Sequence, residues 1–218
     1  MRKIEKRSIF CLILAALLGL GLAFFCFQFV VDGGDWASYP YNRHLYNNAG
    51  QLKGGTILDR DGDMLSTLDE DGNRIYNDDA TVRRATLHAV GDKNGNIGAG
   101  ALTSFADKLS GYNLLTGVYS PLGTGNSLYL TIDAYLNNVA YQALNGMNGT
   151  VGVYNYKTGE ILCMVSTPTF DPANPPDIAA DDPAWDGVYV NRLLSANSIP
   201  GSSFKVVTIN ADIENIPD

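Results

Sequence analysis

One run dominates the distribution of apolar positions. From Ile9 to Val31 the chain reads IFCLILAALLGLGLAFFCFQFVV without a single charge. A bilayer core about 30 Å thick takes roughly 20 apolar residues in a helix, so 9–31 predicts a membrane span. Arg2, Lys3, Lys6 and Arg7 precede it, and Asp32 and Asp35 follow it. Positive charge ahead of the span places residues 1–8 in the cytoplasm and the bulk of the chain on the extracytoplasmic side. A cleaved secretory signal would have a shorter apolar region ending in small residues. Phe24, Phe25, Phe27 and Phe29 crowd the end of this one, which favours an uncleaved anchor. Trp36, Tyr39, Tyr41 and Tyr46 then suit an interface collar and short connector.

Beyond residue 50 the pattern changes to short apolar pieces. GGTILDRDGDMLS and DEDGNRIY read as strands joined by turns at Asp61-Gly62 and Asp71-Gly72, because glycine accepts positive φ. Residues 81–128 hold the Gly/Asn-rich loop GDKNGNIGAG, then a short helix ALTSFADKL with Ala101, Leu102, Phe105 and Leu109 on one side. SPLGTGN marks a boundary. LYLTID opens the next region as a strand. Asp133 or Thr131 caps a helix whose inner face carries Leu136, Val139, Ala140, Ala143 and Leu144. TVGVYNYKTGEILCMVS is a β-hairpin that turns at Lys157-Thr158-Gly159. The prolines of TPTFDPANPPD make it an irregular loop. After Pro200-Gly201 a helix begins at Ser202 or Ser203. The whole is an α+β chain with domains 1–8 (cytoplasmic tail), 9–31 (transmembrane helix), 32–128 (small, mainly-β pedestal) and 129–218.

Composition narrows the function. The net charge of −8 argues against a nucleic-acid partner, which needs a basic face. Three cysteines are too few for a disulfide framework. Cys11 and Cys26 lie in the span, and Cys163 reads as a small core residue. Asp59, Asp61, Asp63 and Glu70 fit calcium-loop positions, but Met64 stands where that loop needs glycine. His44 and His88 have no ligand-spaced partners. No metal and no cofactor is expected.

Ser202-Ser203-Phe204-Lys205 is a Ser-x-x-Lys tetrad at a helix start. Residues i and i+3 share a helix face, so the Ser202 hydroxyl and the Lys205 amine can meet. A serine needs a nearby base to attack, and a desolvated lysine can be that base. A helix N-terminus offers N–H groups to a developing oxyanion. The tetrad alone equally fits a helix with an ordinary serine N-cap.

In its context the tetrad resembles that of the class B penicillin-binding proteins, the monofunctional D,D-transpeptidases of peptidoglycan synthesis. GGTILDRDGDMLS is similar to the family's membrane-proximal motif, Arg-Gly-x-Ile-x-Asp-Arg-x-Gly. LTIDAYLNNVAYQAL and GTVGVYNYKTGEILCMVSTPTFDPANP are similar to the opening strand, helix and hairpin of the transpeptidase domain. NRLLSANSIPGSSFK is similar to the segment that ends in the active-site helix. The resemblance implies a serine β-lactamase-like domain over 129–218, incomplete here. Ser202 would be the acylated nucleophile and half of the oxyanion hole, and Lys205 its proton acceptor. Asn191 and Arg192 would be structural, and Asp59 and Arg60 would brace the interdomain region. Implied partners are peptidoglycan stem peptides, β-lactams, the membrane, and a glycosyltransferase of the elongation or division machinery.

Two departures stand out. Gly54 occupies the first arginine of the membrane-proximal motif, which puts one interdomain salt bridge in doubt. The family's later Ser-x-Asn and Lys-Thr-Gly motifs do not follow Lys205, and Lys157-Thr158-Gly159 precedes the nucleophile. The chain therefore reads as the N-terminal portion of a longer protein, inactive alone and only partly stable, with enzyme activity left open. The alternative is a non-catalytic membrane-tethered scaffold or β-lactam sensor with the same fold.

Overall fold

The structure, a computed structural model, describes residues 2–37, 46, 52–111, 113, 125–179, 181–195 and 201–215. Tyr39, Tyr41 and His44, and most of SPLGTGN, lie outside the described residues. Helix α1 runs Arg2–Ala37. Its segment Arg7–Gly34 is long and apolar enough to cross a membrane, with mean hydropathy 2.8. The chain divides into two compact units. One comprises Met1–Tyr76, Lys93–Gly95 and Ala101–Leu130. The other comprises Asn77–Asp92, Asn96–Gly100 and Thr131–Asp218.

The first unit holds a four-stranded sheet of order β3-β2-β1-β4, with β1 Thr56–Leu58, β2 Met64–Leu68, β3 Arg74–Tyr76 and β4 Ser127–Tyr129. β1-β2 and β2-β3 are antiparallel, and β1-β4 is parallel. The two turns share one design. Asp59 Oδ1 accepts from the amides of Asp61 and Asp63, both at 2.9 Å. Ten residues on, Asp69 Oδ1 accepts from Asp71 and Asn73 at 3.0 and 2.7 Å. Asp-x-Asp-Gly-(Asp/Asn) is thus a locally encoded corner, used twice. Asp59 is buried in its corner, and Arg60 is exposed.

Arg74 is buried, and its guanidinium donates to the carbonyls of Gly55 (2.7 Å), Gly54 (2.7 Å) and Leu52 (3.1 Å). Burial lowers its pKa to about 10, so it remains a cation at neutral pH. Gly125, at φ +68°, is packed so closely that a Cβ would meet the Leu109 carbonyl and the Gly55 amide. The single helix expected over 101–109 is instead two short ones, α3 Ala101–Ser104 and α4 Ala106–Ser110. Phe105 sits at the break with φ −122° and is 37% exposed, while Ala101, Leu102, Ala106 and Leu109 face inward. The break turns the Phe105 ring outward, where the Lys108 ammonium lies 5.3 Å from its centroid.

The second unit is built on helix α2 Ala80–Val90, helix α5 Ala134–Leu144 and the antiparallel hairpin of β5 Gly149–Tyr154 and β6 Ile161–Thr167. α2 lies in a stretch to which the sequence pattern assigned no element. Asp79 caps it, accepting from the Thr81 amide at 2.7 Å, and residues 85–90 are all buried. Asp133 caps α5 through the Leu136 amide (2.9 Å), and Thr131 instead donates to the Ile161 carbonyl (2.7 Å). The inner face of α5 differs from expectation. Val139 is 45% exposed and Ala143 is exposed, whereas Asn137 is 0% exposed. Its side chain bonds β6, which puts Asn137 on the inner face. Ala140 packs with Cys163 and Val165 in a cluster joined by Leu136, Tyr141, Leu144 and Val151.

Candidate active site

Residues 188–193 are held from several sides. The Asn191 amide nitrogen reaches the His88 carbonyl (3.2 Å) and the Met164 sulfur (2.9 Å). The Arg192 amide donates to Ser166 Oγ (3.0 Å), and its guanidinium donates to the carbonyls of Thr167 and Asp186, both at 2.9 Å. Leu193 lies so close over Gly152 that a Cβ there would come within 2.5 Å of Leu193 Cδ1. One short segment therefore meets α2 and β6 through hydrogen bonds and β5 through the packing of Leu193 on Gly152.

An ion pair also ties α2 to the loop after β6. Arg83 donates from Nε and Nη2 to the two carboxylate oxygens of Asp171, at 2.7 and 2.6 Å, and from Nη1 to the carbonyls of Asn77 and Asp78. The Arg83 guanidinium holds the Asp171 carboxyl below the usual carboxylate range. His88 Nε2 lies 2.8 Å from the Val188 carbonyl, so that nitrogen carries the proton. Burial pushes the His88 pKa down, and the imidazole is neutral. Burial also pushes the Cys163 thiol up, against a role as nucleophile. Among the described residues no cluster of three His, Cys, Asp or Glu side chains could hold a metal. The pairings of Asn137, Arg83 and His88 carried no sequence motif, since each depends on a partner distant in the chain.

Ser202 lies in a single 3-10 turn, Gly201–Phe204, that leads into helix α6, Lys205–Asn215. The α-helix expected to start at Ser202 or Ser203 thus begins two or three residues later, at Lys205. Gly201 has φ +55°, a backbone state that glycine adopts freely. Three residues per turn places positions i and i+3 on one side, so Ser202 and Lys205 share a helix edge. Both are exposed. Val206, Ile209 and Ile213 form an i, i+3, i+7 stripe along the helix, and each is between 57% and 73% exposed. The frame around Asn191 and Arg192 ends ten residues before Ser202, and residues 196–200 between them lie outside the described residues.

Comparison with known proteins places this arrangement. Residues 149–215 match the family described as the penicillin binding protein transpeptidase domain. The chain is 37% identical over 87 residues to the peptidoglycan D,D-transpeptidase MrdA of Acinetobacter baumannii, covering 37% of this chain and 13% of that one. It is 34% identical over 104 residues to the peptidoglycan D,D-transpeptidase PbpA of Mycolicibacterium smegmatis (41% and 21%), and 37% identical over 105 residues to the stage V sporulation protein D of Bacillus subtilis (44% and 15%). The crystal structure of the D,D-transpeptidase domain of a peptidoglycan glycosyltransferase from Eggerthella lenta superposes with TM-score 0.55 at 28% identity, covering 75% of this chain and 38% of that one. Residues 149–215 are thus similar to a penicillin-binding protein transpeptidase domain, and the curated relatives named as transpeptidases are peptidoglycan D,D-transpeptidases. The chain spans roughly a fifth or less of the length of these curated relatives.

Proposed function

We propose that this chain carries the nucleophile of a membrane-anchored peptidoglycan D,D-transpeptidase, which crosslinks stem peptides through an acyl-serine intermediate. The observation that carries the reading is Ser202 and Lys205 on one edge at the start of α6, inside the segment that matches the transpeptidase family. Ser202 Oγ attacks the carbonyl of a D-Ala or a β-lactam and passes its proton to the Lys205 amine. The Lys205 ammonium returns that proton to the amide nitrogen as the C–N bond breaks, which releases the D-Ala amine or opens the β-lactam ring and leaves the acyl-serine. The apolar α1 anchors the chain with its N-terminus in the cytoplasm, so the site stands at the outer membrane face, where the substrate is polymerised.

General-base chemistry by a lysine amine calls for a site drawn out of water. The stripe of Val206, Ile209 and Ile213 runs on from the Ser202–Lys205 edge, so whatever covers the stripe also dehydrates the amine. With α6 exposed, this chain alone acylates poorly. The alternative of a non-catalytic scaffold or β-lactam sensor draws on the same exposure.

The test is labelling with a fluorescent penicillin in membranes. The chain is examined alone and fused to the C-terminal part of the A. baumannii transpeptidase domain. Label is expected in the fusion, and none in its Ser202→Ala variant. Label that survives S202A removes Ser202 as the nucleophile. Stoichiometric label on the chain alone removes the requirement for covering α6. A fusion that binds penicillin without a covalent adduct favours the sensor. Protease treatment of intact cells stripped of their wall tests topology, and protection of the part after Val31 would reverse it.

A further inference from the structure

Within the first unit the end of α1 meets the short helix α4, and that meeting sets the height of α4 on a bilayer. Gly33 is buried, and Gly34 packs on Asp107, where a Cβ at Gly34 would lie 3.5 Å from the Asp107 Cβ. Two glycines in a row allow so close an approach. The uncharged run 9–31 has 23 residues. At 1.5 Å per residue it makes about 34 Å of helix, enough to fill a hydrocarbon core of about 30 Å. Gly34 comes three residues after Val31 and so stands about 5 Å beyond that core. The headgroup layer on each side is roughly 5–8 Å deep. Asp107 therefore lies at headgroup level, and rotating α1 about its own axis does not move it from there.

Two side chains beside Asp107 suit that layer. Phe105 stands at the break between α3 and α4 and is 37% exposed, although apolar periodicity expects it inside with Ala101, Leu102 and Leu109. Lys108 is exposed, and its ammonium lies 5.3 Å from the Phe105 centroid. Asp32 and Asp107 at the seam are half-buried, which leaves Lys108 as the exposed charge of α4. An aromatic ring gains nothing from bulk water, whereas at the boundary of headgroups and acyl chains it meets hydrocarbon. A lysine beside it keeps its stem on apolar surface and lifts its ammonium to the phosphates. Trp36, two residues past Gly34 and 50% exposed, marks the same level. We propose that Phe105 and Lys108 form a second membrane contact, seated in the phospholipid layer where α1 emerges, with the Phe105 ring at the acyl boundary and the Lys108 ammonium on a lipid phosphate. The contact clamps the first unit to the bilayer, where α1 alone would leave it free to swing. It rests on α1 spanning the membrane, and it holds for either orientation of the span.

The test places the full chain in vesicles of phosphatidylcholine and phosphatidylglycerol, with and without lipids brominated high on the acyl chains. Trp36→Phe and Trp185→Phe together remove both native indoles. In that background Phe105→Trp reports the contact, and Phe25→Trp, made separately, reports the span. Brominated lipid is expected to quench both severalfold, and the indole of Phe105→Trp should be shielded from acrylamide. Adding Lys108→Glu should cut the quenching at position 105 about twofold through lost attraction to anionic lipid, and leave position 25 unchanged. Quenching at position 25 without quenching at position 105 overturns the contact and leaves the span standing. Quenching at neither overturns both. An indole at position 105 that acrylamide still reaches in the vesicles marks a surface kept for a protein partner, and it too overturns the contact. Equal quenching with Lys108→Glu removes Lys108 from it. A second measurement keeps the native ring. A lipid spin-labelled at its headgroup should broaden the Lys108 amide resonance of the parent chain in nanodiscs, and an unbroadened signal overturns the contact. None of these readings involves Ser202, so they stand or fall apart from acylation.

Discussion

Asn137 offers the sharpest check on how the hairpin is held. It is fully buried on α5, in a position that apolar periodicity would assign to the outside. Its Oδ1 accepts from the Met164 amide (3.0 Å), and its Nδ2 donates to the carbonyls of Asp133 (2.7 Å) and Leu162 (3.3 Å). In Asn137→Ala the two carbonyls keep other donors, since Asp133 still accepts from the residue 137 amide and Leu162 from the Asp133 amide. Met164 N–H alone loses its recorded acceptor. A buried donor left unpaired costs about 1–3 kcal/mol. The void left by the carboxamide brings the total to roughly 2–4 kcal/mol. At about 1.4 kcal/mol per factor of ten, the Met164 amide should exchange with solvent roughly 30- to 700-fold faster, read by amide hydrogen exchange on the full chain in micelles. Asn137→Leu fills the void without restoring the acceptor and should recover only a minor part. Asn137→Asp keeps the acceptor but aims a second oxygen at two carbonyls, and should do no better. If Met164 exchange in the Ala variant stays within about threefold of the parent, Asn137 is not what satisfies this strand edge.

Three further outcomes follow from buried charge. Asp171 titrates below its usual value because of Arg83, so the pair's stabilisation is complete above the unfolded pKa of about 3.9 and fades as pH falls through the lower native value. Asp171→Asn should cost about 1–3 kcal/mol at neutral pH and flatten the acid end of the melting curve. Burial lowers the His88 pKa, so the unfolded chain takes up a proton first. Stability should fall as pH drops below about 6.5 toward the native value, and His88→Gln should remove that dependence in melts across this range. Arg74→Met strands the carbonyls of Leu52, Gly54 and Gly55, and should destabilise the first unit by roughly 2–4 kcal/mol in urea titration, with Arg74→Lys intermediate.

Reading by pattern succeeded where the decisive atoms lie a few residues apart. The Asp-Gly corners at 61–62 and 71–72, the Asp133 cap and the hairpin turn at Gly159 all close through local hydrogen bonds. It failed at α2. The polar side chains of Thr86 and His88 break that helix's apolar stripe, yet both are buried and bonded, to Val82 and Val188. The Val188 partner is a hundred residues away, so no window along the chain contains it. The inner face of α5 was misjudged for the same reason, because Asn137 answers a need of β6 that exists only once the strand is in place. Gly54 where the family carries arginine has a local setting in the fold, since its carbonyl is one of three taken by Arg74.

For the site, the Ser-x-x-Lys spacing and its Pro-Gly approach were legible at once, as was the family they resemble. Their surroundings were not. Spacing puts Ser202 and Lys205 on one edge, because a helix of either pitch brings i and i+3 together. The solvent around Lys205 is a property of what packs on α6, and its Val206, Ile209 and Ile213 stripe stands exposed. That α1 is long and apolar enough to cross a membrane likewise needs only the transfer free energy of an uninterrupted apolar run, which sums residue by residue. The joining of α2, the hairpin and residues 188–193 into one frame depends on buried donors and acceptors that meet across the chain, and only the tertiary structure determines those meetings.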